Sequence, residues 1–282
     1  MENKTYHFQL NYPADYAPAS VDQVLRKLLI PRKWRHYLRI EKQVQINGQY
    51  RNFNELVQPG DLIDLTLTHV SSNQQTYAKS KHKPVIIYED QDLLIIDKPS
   101  GQKTHPNLFE TDTALNDCAF YLDANPFIVH RLDMLTNGLL LVAKNPAVVP
   151  ILNRQLTSKT FHRDYYAWVK AGSLPDHGTI DLPIGQDPND QRKRRVDPAG
   201  RPAITHYQLL SSKNGLAKYQ ISLETGRTHQ IRVHLAAMGA PIIGDPLYNP
   251  DCQPGEKLRL TAYQMEFVKP YTFNRLHFQL PN

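Results

Sequence analysis

HRLDMLTNGLLLVAK, residues 130–144, is the stretch on which the reading of this sequence turns. Leu139 to Ala143 form an unbroken apolar run of a length that no other in the chain exceeds. The run falls far short of the roughly 18 residues a membrane-crossing helix needs, and it has the length of a core strand. Immediately before it stand His130, Arg131 and Asp133, so an acid and two basic groups sit where the chain enters a core. Residues at the mouth of a core strand are held by rigid neighbours yet open to a ligand. Spacing alone leaves two readings of Asp133: a cap on a local turn with Thr136 and Gly138, or a carboxylate presented for chemistry.

Outward from this strand, apolar and β-branched runs predict further strands at Val85–Tyr88, Leu93–Ile96, Tyr165–Val169, Ile204–Leu210, Tyr219–Leu223 and Leu258–Phe267. Helices are fewer: one opened by Pro146 and running to about Leu156, another from His229 to Met238 closed by Gly239. Strands without regular strand–helix alternation predict an α+β fold on a large mixed or antiparallel sheet. In Asp164-Tyr165-Tyr166-Ala167 the tyrosines must face opposite sides of a strand.

The polar, lysine-rich segment Ser71–Lys83 divides this region from an N-terminal one. The expected organisation is residues 1–70, a linker at 71–84 that contributes little to either core, and a large domain at 85–282. In the N-terminal part Ser20 can cap a helix on which Val21, Val24, Leu25 and Leu28 share a face, and Pro31 can open a second helix through Arg39. The turn Asn47-Gly48 and the run Asp61–Leu67 complete a small ααβ unit. Its charge is uneven. Arg26, Lys27, Arg32, Lys33, Arg35, Arg39, Lys42 and Arg51 stand against only Asp22 and Glu41, a net +6 equal to the excess of the whole chain. A local basic surface fits a polyanion, either nucleic acid or an anionic membrane, and a solvated helix face is the plainer alternative.

Several classes are excluded. No two of the 13 glycines lie two or four apart, so there is neither a dinucleotide fingerprint nor a GxSxG elbow, and Asp245 follows Gly244 where a phosphate loop requires Lys. The 12 histidines include no HExxH pair, and no metal or cofactor is expected. Cys118 and Cys252 have no partner at ligand or CxxC spacing and read as buried thiols. The N-terminal residues carry neither a signal core nor a transit pattern, so the expected location is the cytoplasm.

A second segment, LETGRTHQIRVH at 223–234, reads as a strand, a turn and a helix bearing Arg227, His229, Arg232 and His234. It suits either anion binding at a helix start or a set of structural salt bridges. Together with YEDQDLLIIDKPSGQKTHP (88–106), HRLDMLTNGLLLVAK and the continuation to DPLY at 248, it resembles the RluA family of pseudouridine synthases over about Ile87–Phe267. Residues 20–67 resemble a degenerate S4 RNA-binding domain. The family resemblance implies isomerisation of specific uridines in structured RNA. Ribosomal RNA is the first expectation for substrate and transfer RNA the second, with a monomer acting without cofactor, metal or membrane.

Residue by residue, the resemblance implies that Asp133 is the catalytic aspartate, that Tyr165 stacks on the uracil and acts near C5, and that Arg227 pairs with Asp133. Arg131 would fill the stack left by the flipped base. Arg26, Lys27, Arg32, Lys33, Arg35 and Arg39 would contact RNA. The chain departs from the family pattern at Asn137 (usually Ser), Arg163 (usually Lys) and Thr261 (often His). A non-catalytic RNA-binding factor and a two-carboxylate glycosidase are the competing classes; no second acid stands out in these motifs to serve the latter.

Overall fold

The computed structural model describes residues 4–281. The N-terminal region comprises Tyr6–Asn11 (β1), Ala19–Ser20 (β2), Val21–Lys27 (α1), Arg32–Ile40 (α2), Val44–Ile46 (β3), Gln49–Tyr50 (β4), Leu56–Val57 (β5) and Leu62–Leu67 (β6). α1 starts where expected because Ser20 and Gln23 form a reciprocal capping box. The Asn47-Gly48 turn joins β3 to β4, both of its residues having positive φ. β1 was not expected: it pairs antiparallel with β6 from Tyr6↔Leu67 to Asn11↔Leu62. Its partner lies more than 50 residues away, so the short apolar alternation of Tyr6, Phe8 and Leu10 had no local signal to support it.

The remainder consists of Val85–Glu89 (β7), Leu93–Lys98 (β8), Ala114–Leu122 (α3), Phe127–Ile128 (β9), Asn137–Ala143 (β10), Val149–Thr157 (α4), His162–Lys170 (β11), His177–Asp181 (β12), Ile184–Gln186 (β13), Arg194–Val196 (β14), Ile204–Lys213 (β15), Leu216–Leu223 (β16), Gln230–Ala237 (α5), Leu260–Val268 (β17) and Arg275–Gln279 (β18). Ten strands form one sheet in the order β12-β15-β16-β11-β17-β10-β8-β7, with β18 on β17 and β9 on β10. The architecture is the expected α+β fold on a large mixed sheet.

β8 and β10 are buried on both faces, which explains their unbroken apolar sequences. Leu93, Ile95, Leu139 and Leu141 belong to one core with Val149 and Leu152 of α4. Leu94, Ile96, Leu140 and Val142 belong to the other, with Leu115 and Cys118 of α3 and Ile231 and Leu235 of α5. Cys118 is a buried thiol whose pKa burial pushes up to about 12, whereas Cys252 is only half-buried; both are unbridged.

The first core also runs into the N-terminal region, so side chains from both sides of the connecting segment pack together. Phe8 stacks on Tyr271 at 3.5 Å, Tyr12 and Tyr16 meet Phe273 edge-on, and Arg154 of α4 donates to the carbonyls of Leu29 and Ile30. The connecting segment is likewise tied down. Tyr77 is buried in the second core, Gln74 exchanges two hydrogen bonds with Ile128, and Asn116 donates to the Ala78 carbonyl. Polar composition concealed these contacts because the segment is held largely through hydrogen bonds.

β10 meets β17 in parallel over Asn137↔Thr261 and Gly138↔Ala262. This close approach demands glycine: Gly138 has φ +112°, and a Cβ there would lie 2.2 Å from the Ala262 carbonyl oxygen. Gly138→Ala should therefore lower the thermal midpoint by about 5 °C or more, measured by differential scanning calorimetry.

Candidate active site

The loop that follows β8 and the loop that leads into β10 lock together. Thr104 Oγ1 donates to the Leu132 carbonyl (2.8 Å) and accepts from the Leu132 amide (3.1 Å); Ser100 Oγ donates to the Leu135 carbonyl (2.7 Å); and the Gly101 amide donates to the Met134 carbonyl (2.9 Å). Beneath them Lys98, fully buried, donates from Nζ to the carbonyls of Pro99 (2.8 Å), Gln102 (2.7 Å) and Met134 (3.2 Å). Burial lowers its pKa to about 8 against the opposing pull of the Asp133 and Asp97 charges. His130 fastens the same loop from below, its Nε2 accepting from the Leu141 amide at 3.1 Å. Burial lowers its pKa to about 3, so it is neutral.

This scaffold places Asp133 in the wall of a cleft of about 780 Å³. The turn and the cleft engage different parts of Asp133. Its backbone carbonyl closes the turn with the Thr136 amide (3.1 Å), and its carboxylate lines the cleft. Tyr165 lines the same cleft and is buried; burial raises its pKa, so its hydroxyl is protonated at neutral pH. Tyr166 takes the other face of β11, stacked on Tyr263 at 3.5 Å with Lys218 Nζ 3.6 Å from its ring centroid. A bulge sets this register: Asp164 opposes Gln264 and Tyr165 opposes Ala262, skipping Tyr263, whose carbonyl accepts from the Leu280 amide.

The expected pair between Arg227 and Asp133 is absent. Arg227 lies in the turn before α5 and borders the cleft, where its Nε donates to the Pro202 carbonyl at 3.0 Å. Among the described residues the guanidinium that reaches Asp133 is that of Arg232, 3.7 Å from Oδ2, with His229 Nε2 at 3.8 Å. His229 and Arg232, three apart at the start of α5, project on one side of it, whereas Arg227 precedes it. Arg232 is itself held by Asp245, Nε and Nη2 each donating at 2.8 Å. Burial opposes the Arg232 charge, but the bonds to Asp245 and the charges of Asp245 and Asp133 outweigh it and raise its pKa. Burial lowers the pKa of His229. The i,i+3 spacing and the acid at Asp245 were the available signals for Arg232.

Arg131 is exposed and lines the cleft, as do Lys103, Lys159 and Arg163. Of the N-terminal bases, Arg26, Lys27, Arg32, Lys33 and Arg39 are exposed. Arg26 is paired with Asp22. Arg35 departs from the expected RNA-binding set: it turns inward to Asp22 at 2.6 Å and so ties α2 to α1.

Comparison with known proteins identifies the family. A family model described as RNA pseudouridylate synthase matches residues 92–237. The chain belongs to the RNA pseudouridine synthase family. A second model, the N-terminal domain of RluD ribosomal pseudouridine synthase, matches residues 8–63. An uncharacterized RNA pseudouridine synthase of Bacillus subtilis, YhcT, is 38% identical over 82% of this chain and 78% of its own length. Ribosomal large subunit pseudouridine synthase D of Nitrosomonas europaea is 36% identical over 97% of this chain and 84% of its own. In fold, the synthase resembles human RNA pseudouridylate synthase domain containing 1, with a TM-score of 0.61 and 22% identity over 72% of this chain and 85% of that one. It is accordingly an enzyme that isomerises uridine in RNA.

Arg232→Ala leaves Asp245 buried without its partner and should cost about 3–5 kcal/mol in urea denaturation. Arg227→Ala removes one exposed bond and should cost no more than about 0.5 kcal/mol. Lys98 gives a pH signature. Folding lowers its pKa to about 8, so the unfolded chain holds this proton more tightly. The resulting cost is full below about pH 8 and fades towards pH 10. The stability of the wild type relative to Lys98→Met should therefore grow across that window.

Proposed function

We propose that this synthase converts a uridine of ribosomal RNA to pseudouridine in the cleft around Asp133, with Tyr165 and Arg232 as its other working groups. The observation that carries the reading is a carboxylate held in a cleft wall 3.7 Å from a buried guanidinium, with a buried tyrosine lining the same cleft. The names of the relatives support ribosomal RNA, since several are ribosomal large subunit synthases.

Uridine in folded RNA hides its glycosidic bond, so the nucleotide must be extruded before reaction. The N1–C1′ bond then breaks, the uracil turns, and C5 joins C1′; a proton leaves C5 and N1 regains one. The rearrangement is redox-neutral and needs no group donor. Asp133 can serve by attacking C1′ or by removing the C2′ proton. Both use the carboxylate, whose charge Arg232 balances. Tyr165 presents a ring for the uracil to stack on and a hydroxyl for the proton relay at C5. The planar guanidinium of Arg131 suits the place the base vacates.

The boundary near residue 70 is read as separating an RNA-gripping part from the catalytic part. The exposed bases of α1 and α2 engage phosphates there, and one chain supplies the complete site.

The test is tritium release from RNA labelled at uracil C5. Asp133→Asn should fold, bind RNA and retain below about 1% of the rate. Tyr165→Phe should bind within a few-fold of wild type and lose most product formation, whereas Tyr166→Phe, on the opposite strand face, should be nearly neutral. Full activity in Asp133→Asn would sink the assignment. Replacing Arg32, Lys33 and Arg39 together by Ala should reduce the slope of log K against log salt by about 2 if all three meet phosphates.

A further inference from the structure

Leu108 and Phe109 are 92% and 94% exposed, by a wide margin the most exposed large apolar side chains among the described residues. Scattered apolar residues at a surface are ordinary. Two in succession at the tip of one loop, each almost wholly in water, call for a physical reason. The loop that carries them is built to hold them there. The Asn107 amide donates to Glu110 Oε2 at 2.9 Å, the Glu110 amide donates to the Asn107 carbonyl at 3.2 Å, and the Glu110 carboxylate is ion-paired with Lys103. Leu108 sits at φ +48°, a conformation a leucine adopts rarely.

The position of the loop points to the partner. Lys103, Thr104, His105 and Asn107 line the cleft, so Phe109 lies two residues past the cleft wall, within about 7 Å of chain. Lys103, Arg131, Arg163 and Arg227 border the same opening, an arrangement suited to a phosphate backbone. Extruding a nucleotide leaves the neighbouring bases without a stacking partner. Apolar side chains inserted between bases, and aromatic rings stacked on them, compensate such a loss.

We infer that Leu108 and Phe109 form a wedge that packs against a base next to the extruded uridine, with the Phe109 ring as its stacking surface. The inference rests on the reading that the cleft receives uridine from RNA. The Asn107–Glu110 bracing orders the wedge before RNA arrives, which reduces the entropy lost on binding. The wedge acts through the RNA and not on the reacting atoms, so it positions the substrate.

The test uses total RNA labelled with [5-3H]uridine in cells lacking this gene, which contains the substrate whichever RNA that is. Phe109→Ala should raise KM about tenfold with kcat within about twofold and leave the thermal midpoint unchanged. Phe109→Trp should restore KM, and the emission of the introduced indole should be quenched by the same RNA, read against the wild type with its two tryptophans. A KM for Phe109→Ala within twofold of wild type would overturn the inference, as would an indole that stays unquenched by RNA the enzyme modifies. The quenching should persist when Asp133→Asn is combined with Phe109→Trp. Turnover by Asp133→Asn would overturn the reading of the carboxylate and leave the quenching intact, so the two can fail separately.

Discussion

Arg232 and Asp245 are bound through two parallel hydrogen bonds of 2.8 Å, with 3% and 0% of their side chains exposed. Taking both charges out of water is costly, and the cost is offset only where geometry and further hydrogen bonds are complete. Asp245 meets that condition, since it also accepts from the amides of Leu247 and Tyr248. With Nε and Nη2 committed, Arg232 has one orientation, and its Nη1 reaches Asp133. One interaction therefore links α5, the start of the Asp245 loop and the electrostatic setting of the cleft carboxylate.

The carboxylate is positioned from the other side by backbone. The loops after β8 and before β10 bond carbonyl to amide and carbonyl to hydroxyl, with the Lys98 ammonium gathering three carbonyls below them. The motifs at 88–106 and 130–144 are thus one mechanical unit. The opposite face of the same strands packs on α4 and, beyond it, on the N-terminal region. A change at the Phe8–Tyr271 stack is therefore connected to the active-site loops through packed side chains rather than through a flexible tether.

Two of the departures from the family pattern meet in space. Thr261 Oγ1 donates to Asn137 Oδ1 at 3.0 Å across the short parallel pairing of β10 and β17. The hydrogen bond ties the two strands one residue before the Gly138 contact. Each residue looks like an isolated irregularity in sequence, and together they form one strand-to-strand link. Arg163, the third departure, retains its positive charge and lines the cleft with Tyr165.

What the sequence determined by itself was what depends on near neighbours. The apolar run Leu139–Ala143 specified a core strand, Ser20 specified the start of α1, and Asn47-Gly48 specified a turn, because each rests on local backbone preference or on period. The motifs around Asp133, Tyr165 and the start of α5 were legible through their resemblance to the RluA family, since spacing alone left a structural and a chemical reading open at each. Which arginine faces Asp133 was decided only in three dimensions: a turn aims Arg227 at the Pro202 carbonyl, while the helical period and the distant Asp245 aim Arg232 at the cleft. The pairing of β1 with β6, the burial of Tyr77 and the merging of the N-terminal core with that of the synthase were tertiary outcomes too. Each depends on a surface brought close by folding, and residues many positions apart carry no periodic or local signal of the contacts they make.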